Sequence, residues 1–208
     1  MEYWNDLVAE KSWQTLQNLA LKRLKYTVIG GWAAYLWTNQ HKSKDVDIVL
    51  ESVAELDALK NEPNLSKNDS LRKYEIRYGE IDVDVYVPYY SRLPIPPQDI
   101  HRYSTMLKGF KTANPEPLTI LKQGAEENRQ NTVKGLKDRV DIMTLLTYTD
   151  FDYGCYMKLA KEYGHPQYPK RLQEIVSTFT GHQYLNQNLQ ENKKNKKRIL
   201  EKIKHTAL

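Results

Sequence analysis

Two aspartates at alternate positions, Asp45 and Asp47, flank Val46 within KDVDIVL, where apolar and polar residues alternate as in a half-buried strand. Side chains two apart on a strand share a face, about 6.5–7 Å apart along the backbone. Two carboxylates so placed repel each other and destabilise the fold unless a cation lies between them. Hard oxygen ligands suit Mg²⁺, which takes one or two protein carboxylates and completes its shell with water and phosphate oxygens. Upstream, the apolar run VI stops at Gly30-Gly31, and thirteen residues separate that pair from Asp45. A glycine pair opening a helix removes two Cβ atoms where N–H groups and the positive dipole end can hold phosphate oxygens. These residue types at this spacing point to phosphate chemistry.

Residues 5–24 carry Leu7, Val8, Trp13, Leu16, Leu19, Ala20 and Leu24 at helical spacing. KYTVIGG is a strand ending in a turn, GWAAYLWTN a short helix, and KDVDIVL a second strand. Ser52 with Glu55 three residues on predicts a capping box that opens a helix to about Asn61. NEPNLSKNDS reads as a polar loop. LRKYEIRY and IDVDVYV flank Gly79-Glu80 as a tight hairpin. Its second arm puts Ile81, Val83, Val85 and Val87 on one face and Asp82, Asp84 and Tyr86 on the other. Four prolines between 88 and 97 predict a domain linker. Beyond it, the only strand candidate is Leu107–Thr112. PEPLTILKQGAEENR, KGLKDRVDIMTLLTY, DYGCYMKLAKEYG, KRLQEIVSTF and the tail from Gln183 to Lys204 read as helices. The expected architecture is an α+β chain: an α/β unit at 1–98, then a helical unit at 99–208.

With the pattern complete, the chain resembles the nucleotidyltransferase superfamily built like the palm of DNA polymerase beta. The resemblance covers roughly residues 26–145, through Gly30-Gly31, the helix after it, Asp45-x-Asp47 and a third acid on a later strand. HKSKDVDIV is also similar to the Arg-x-Thr-x-Asp-x-Asp variant of toxin-type members from the abortive-infection group, with Ser43 at the Thr position and His41 at the Arg position. The string VDVYVP favours Asp84 as third acid, with Asp82 as the alternative. The resemblance implies a mixed sheet with flanking helices followed by a C-terminal helical bundle. It implies that Asp45, Asp47 and Asp84 bind two Mg²⁺ ions, with Mn²⁺ as the alternative metal. It further implies that Gly30, Gly31, Ser43, Lys44, Lys122 and Lys137 line the site of a nucleoside triphosphate such as ATP, and that Asp138 and Asp141 serve helix packing. On a helix, Lys122, Glu126 and Arg129 fall on one face. Many relatives have Ser or Thr where Trp32 stands; Tyr26, Trp32, Tyr35 and Trp37 are read as core or as base-stacking residues.

The reaction so implied moves a nucleoside monophosphate to an acceptor hydroxyl and releases pyrophosphate. The acceptor is a tRNA 3′ end, a side chain of a protein such as a cognate toxin or antitoxin, or a small molecule such as an antibiotic. A non-catalytic nucleotide- or RNA-binding or antitoxin-type module is the alternative from another class. Composition fits a folded globular protein of 208 residues, 40% hydrophobic with 15 Tyr. No membrane span or signal peptide is read, and the single Cys155 fits a reducing cytoplasm. Net charge is +5, and residues 193–204 hold seven Lys or Arg against one Glu, which favours a polyanionic partner.

Overall fold

The computed structural model describes residues 3–206. The chain is α+β and divides into two compact units, Glu2–Asn114 and Pro115–Leu208. In the first unit, α1 (Asp6–Ala20) is capped by the Asn5 side chain, which accepts from the Leu7 N–H. The strands are β1 (Tyr26–Ile29), β2 (Val46–Leu50), β3 (Leu65–Asn68), β4 (Lys73–Tyr78), β5 (Ile81–Tyr86), β6 (Ser104–Leu107) and β7 (Phe110–Ala113). They form one mixed sheet in the order β3-β4-β5-β2-β1-β7-β6. β2 runs antiparallel to β1 and parallel to β5, and β7 runs parallel to β1. α2 (Gly30–Thr38) links β1 to β2.

Alternation in the sequence decides which side of the sheet is core. Val46, Ile48 and Leu50 on β2 and Val83 and Val85 on β5 are fully buried. Asp47, Asp82, Asp84 and Tyr86 lie on the opposite face and are half-buried. The aromatic set belongs mainly to the core: Trp32 is 0% exposed, donates from its indole N–H to Ser12 Oγ at 2.8 Å and packs against Trp13 and Tyr35.

Four sequence expectations are corrected here. The segment from 61 to 70 is not only loop, since it contains the edge strand β3. The Ser52–Glu55 capping box does not form: Val53–Leu59 is a 3-10 helix, and Ser52 makes no side-chain cap bond. Glu55 instead accepts from the Lys25 N–H at 3.0 Å. The single strand at 107–112 is a hairpin, β6–β7, turning at Lys108 and Gly109, both with positive φ. The prolines do not separate the units. Ile95 and Ile100 are buried, Pro97 opens the short helix α3 (Pro97–Ile100), and β6–β7 extend the sheet before the division at Pro115.

The second unit comprises α4 (Pro115–Asn128), α5 (Val133–Tyr148), α6 (Tyr153–Glu162), α7 (Tyr168–Thr178) and α8 (Leu189–Thr206). Its core includes Leu118, Val140, Met143, Tyr156, Leu172, Ile175, Ile199 and Ile203. Among the described residues, no helix is long and apolar enough to cross a membrane.

Candidate active site

The candidate site lies on the polar face of the first unit's sheet. Register builds it: Asp47 pairs with Asp84 across β2 and β5, and Asp84 pairs with Glu75 across β5 and β4. Three carboxylates therefore stand in one row on adjacent strands, which are about 4.8 Å apart. Asp45, two residues before Asp47, precedes β2, and its charge is felt at Asp84. Asp84 and Asp82 are thereby distinguished. Asp82 faces Arg77, with Arg77 Nε 3.0 Å from its Oδ1, and its side chain is 44% exposed. The Asp84 side chain is 18% exposed.

Glu75 and Lys73 are the residues sequence reasoning missed. Lys73 Nζ stands 2.6 Å from Asp84 Oδ2 and 3.1 Å from Glu75 Oε1, itself mostly buried. Burial pushes the Asp84 carboxyl above its ordinary range, and Glu75 and Asp45 add to this against the opposing pull of Lys73. For Lys73, burial disfavours the charge, but the two carboxylates outweigh it and hold the ammonium above its usual value. The row thus carries its own cation.

The glycine pair is explained by what occupies the missing side-chain directions. A Cβ on Gly30 would stand 2.0 Å from Asp47 Oδ2 and 2.8 Å from Asp47 Cβ, and Gly30 has φ +68°. A Cβ on Gly31 would stand 2.6 Å from Ser43 Oγ and 2.9 Å from Ser43 Cβ. The expectation that the glycines keep space for phosphates is therefore revised: their first role is to admit Asp47 and Ser43 against the start of α2. Ile29 at the N-cap of α2 provides no side-chain acceptor for the first-turn N–H groups. Ser43 is buried, and Lys44 is half-exposed in the bend before β2.

Gly31→Ala is expected to lower the melting temperature, and Ser43→Gly in the same chain to restore most of the loss, because the methyl then has room. Thermal unfolding of the single and double variants checks this, and an unrescued double variant would show that Ser43 is not the obstacle.

Lys122 and Lys137 lie in the second unit, nearly buried. Lys122 Nζ is 3.1 Å from Asp138 and 2.7 Å from Asp141; Lys137 pairs with Asp141 one turn along α5. Arg129 grips Asp138 with two hydrogen bonds at 2.7 and 3.0 Å. Glu126, 0% exposed, accepts from Arg139 and Arg171. The face of α4 read from the sequence is thus the seam of an ionic network with α5 and α7.

As donors, the carboxylates of Asp45, Asp47 and Asp84 suit a hard divalent cation. As the side chains stand, no group of three or more His, Cys, Asp or Glu among the described residues is arranged to hold a metal ion; Asp84 instead contacts Lys73.

No protein-family model matches the chain, and no curated protein matches it. Among solved structures, the chain is similar to JHP933 from Helicobacter pylori, known from its crystal structure. The TM-score is 0.51 at 17% sequence identity, covering 98% of this chain and 96% of that one. This is a likeness of fold over nearly the full length of both chains.

Proposed function

We propose that the protein is a metal-dependent nucleotidyltransferase of the polymerase beta type, moving a nucleoside monophosphate from a nucleoside triphosphate to an acceptor hydroxyl. The observation that carries this reading is the register of Asp47 beside Asp84, with the Asp45 charge acting on Asp84 and the start of α2 packed against Asp47. Like charges opposite each other on adjacent strands destabilise a sheet. A role in binding cations accounts for keeping them.

In this reading Asp45, Asp47 and Asp84 hold Mg²⁺ or Mn²⁺. Bound there, the metal would neutralise charge on the triphosphate and on the departing pyrophosphate. The first-turn N–H groups of α2 donate to phosphate oxygens, with the Ser43 hydroxyl and Lys44 ammonium as further donors. The acceptor oxygen bonds to the α-phosphorus as the bond from that phosphorus to the β-bridging oxygen breaks. Pyrophosphate leaves, and Asp84 takes the acceptor's proton. Lys122 and Lys137 stand paired with Asp138 and Asp141.

Lys73 favours a second reading, a non-catalytic nucleotide- or RNA-binding module, because its ammonium already neutralises Asp84. The two readings differ in what its removal does. Lys73→Met is expected to lower the melting temperature without metal, since Asp84 and Glu75 lose their cation. Mn²⁺ should then raise the melting temperature more than in the unaltered protein, because the vacated carboxylates bind it. An Mn²⁺ response no larger than in the unaltered protein would favour the non-catalytic module. The activity itself is tested by incubating the protein with Mg²⁺, cell extract and each nucleoside triphosphate labelled at the α-phosphate, then separating labelled RNA from labelled protein. A labelled macromolecule is expected; an extract labelled no more than with the Asp47→Asn protein refutes the reading.

A further inference from the structure

The helix α8 carries Lys193, Lys194, Lys196, Lys197, Arg198, Lys202 and Lys204 against Glu191 and Glu201. Seven cations less two carboxylates leave an excess of five, which equals the net charge of the entire chain. The rest of the sequence is electrically balanced, so the basic character of this protein resides in one helix.

That charge is directed outward. Asn192, Asn195, Ile199 and Ile203 form the buried side of α8. Two cations turn partly inward: Lys196 donates to the Ser177 and Phe179 carbonyls, and Lys202 lies over the Tyr153 ring. Lys193, Lys194, Lys197, Arg198 and Lys204 are exposed. Lys193, Lys197 and Lys204 stand at i, i+4 and i+11, which places them in one stripe about 16 Å long. Together with Leu189, Asn192, Lys196, Leu200 and Glu201 they line an open groove along the helix. Among the described residues, the carboxylate nearest this stripe is Glu201, 3.9 Å from Lys197. Like charges at i, i+4 each cost a helix roughly 0.2–0.5 kcal/mol, and α8 holds three such pairs, Lys193–Lys197, Lys194–Arg198 and Arg198–Lys202. The Lys197–Glu201 pair offsets them only in part.

We propose that α8 is the docking surface for the phosphodiester backbone of an RNA acceptor. The assignment of RNA rests on the nucleotidyltransferase reading; the polyanionic character of the partner rests on α8 alone. A lipid surface fits less well, because a helix lying on a membrane inserts its apolar face, and Ile199 and Ile203 are buried in the protein. A protein partner fits less well too. Protein interfaces are poor in Lys and anchored by Tyr, Trp and Arg, whereas this stripe is built from lysines. Lysine point charges suit a continuous row of phosphates, from which they release counterions.

The test is fluorescence anisotropy of a labelled RNA hairpin with a single-stranded 3′ end, titrated with the full chain in EDTA without nucleotide. Lys193→Glu, Lys197→Glu and Lys204→Glu are combined in one variant, all at exposed positions. Binding should weaken steeply with salt. The triple variant should bind at least about tenfold more weakly and flatten the log–log salt slope by roughly one per lysine, with its melting temperature unchanged. Equal affinity and slope in the two proteins would overturn the proposal, as would polyglutamate competing as well as unlabelled RNA. Since neither metal nor nucleotide is present, docking and chemistry fail separately. Asp47→Asn should bind the hairpin like the unaltered protein even though transfer is lost.

Discussion

Asp47→Asn is expected to reduce nucleotidyl transfer by roughly two to three orders of magnitude or more, the scale set by losing one preorganised charge from such a site. The side chain keeps its shape and its place against Gly30, so the fold remains. With the charge opposite Asp84 removed, the melting temperature without metal should hold or rise slightly. Asp45→Asn should behave in the same way. Asp84→Asn should impair transfer more than Asp82→Asn, because Asp82 faces Arg77 at the exposed end of the hairpin whereas Asp84 lies beside Asp47. Rate measurements on the four proteins check this, and undiminished transfer by Asp47→Asn would remove Asp47 from the site.

A second large effect is expected in the helical unit, on stability rather than on chemistry. Asp141 is nearly buried and lies between the Lys122 and Lys137 ammonium groups, themselves nearly buried. Burial alone would raise its carboxyl, but the two lysines outweigh it and hold it below the ordinary carboxylate range. Asp141→Leu leaves two buried cations short of a partner and should cost about 3–5 kcal/mol. Adding Lys137→Met to that variant should recover part of the loss, because it removes one of the stranded charges. The pH dependence has a definite sign. A carboxyl depressed in the folded state binds fewer protons there than when unfolded, so its contribution is complete above the unfolded value and fades as pH falls below it. Acid unfolding of the unaltered protein should therefore be steeper than that of the double variant, as read by circular dichroism against pH. Identical acid profiles would show that Asp141 contributes nothing through its charge.

Where the sequence carried strong alternation, its reading of the fold and of the acids was close to the structure. The arms of KDVDIVL and IDVDVYV put valines inward and aspartates outward, and β2 and β5 do so. The partners of those acids were less visible, though one signal was available. A two-residue turn at Gly79-Glu80 pairs Tyr78 with Ile81, and counting back along both arms sets Glu75 opposite Asp84. Lys73 then lies one step further along the same face. β3 escaped because an exposed edge strand has no buried side to impose alternation. The proline-rich stretch misled because Pro restricts the backbone without saying whether the segment packs, and Ile95 and Ile100 are buried around it. For Lys122 and Arg129, helical spacing gave the shared face. Their partners on α5 depend on how two helices pack, which no local pattern encodes.

Two labels on the nucleotide distinguish attack at the α-phosphorus from attack at the γ-phosphorus. The protein, Mg²⁺ and an acceptor RNA are incubated in parallel with a nucleoside triphosphate labelled on its α-phosphate and with the same nucleotide labelled on its γ-phosphate. Attack at the α-phosphorus predicts that the α label becomes covalently attached to the RNA while the γ label leaves as pyrophosphate, and that both signals vanish with Asp47→Asn. Transfer of the γ label to the acceptor, or an α label that never leaves the free nucleotide, would contradict the account.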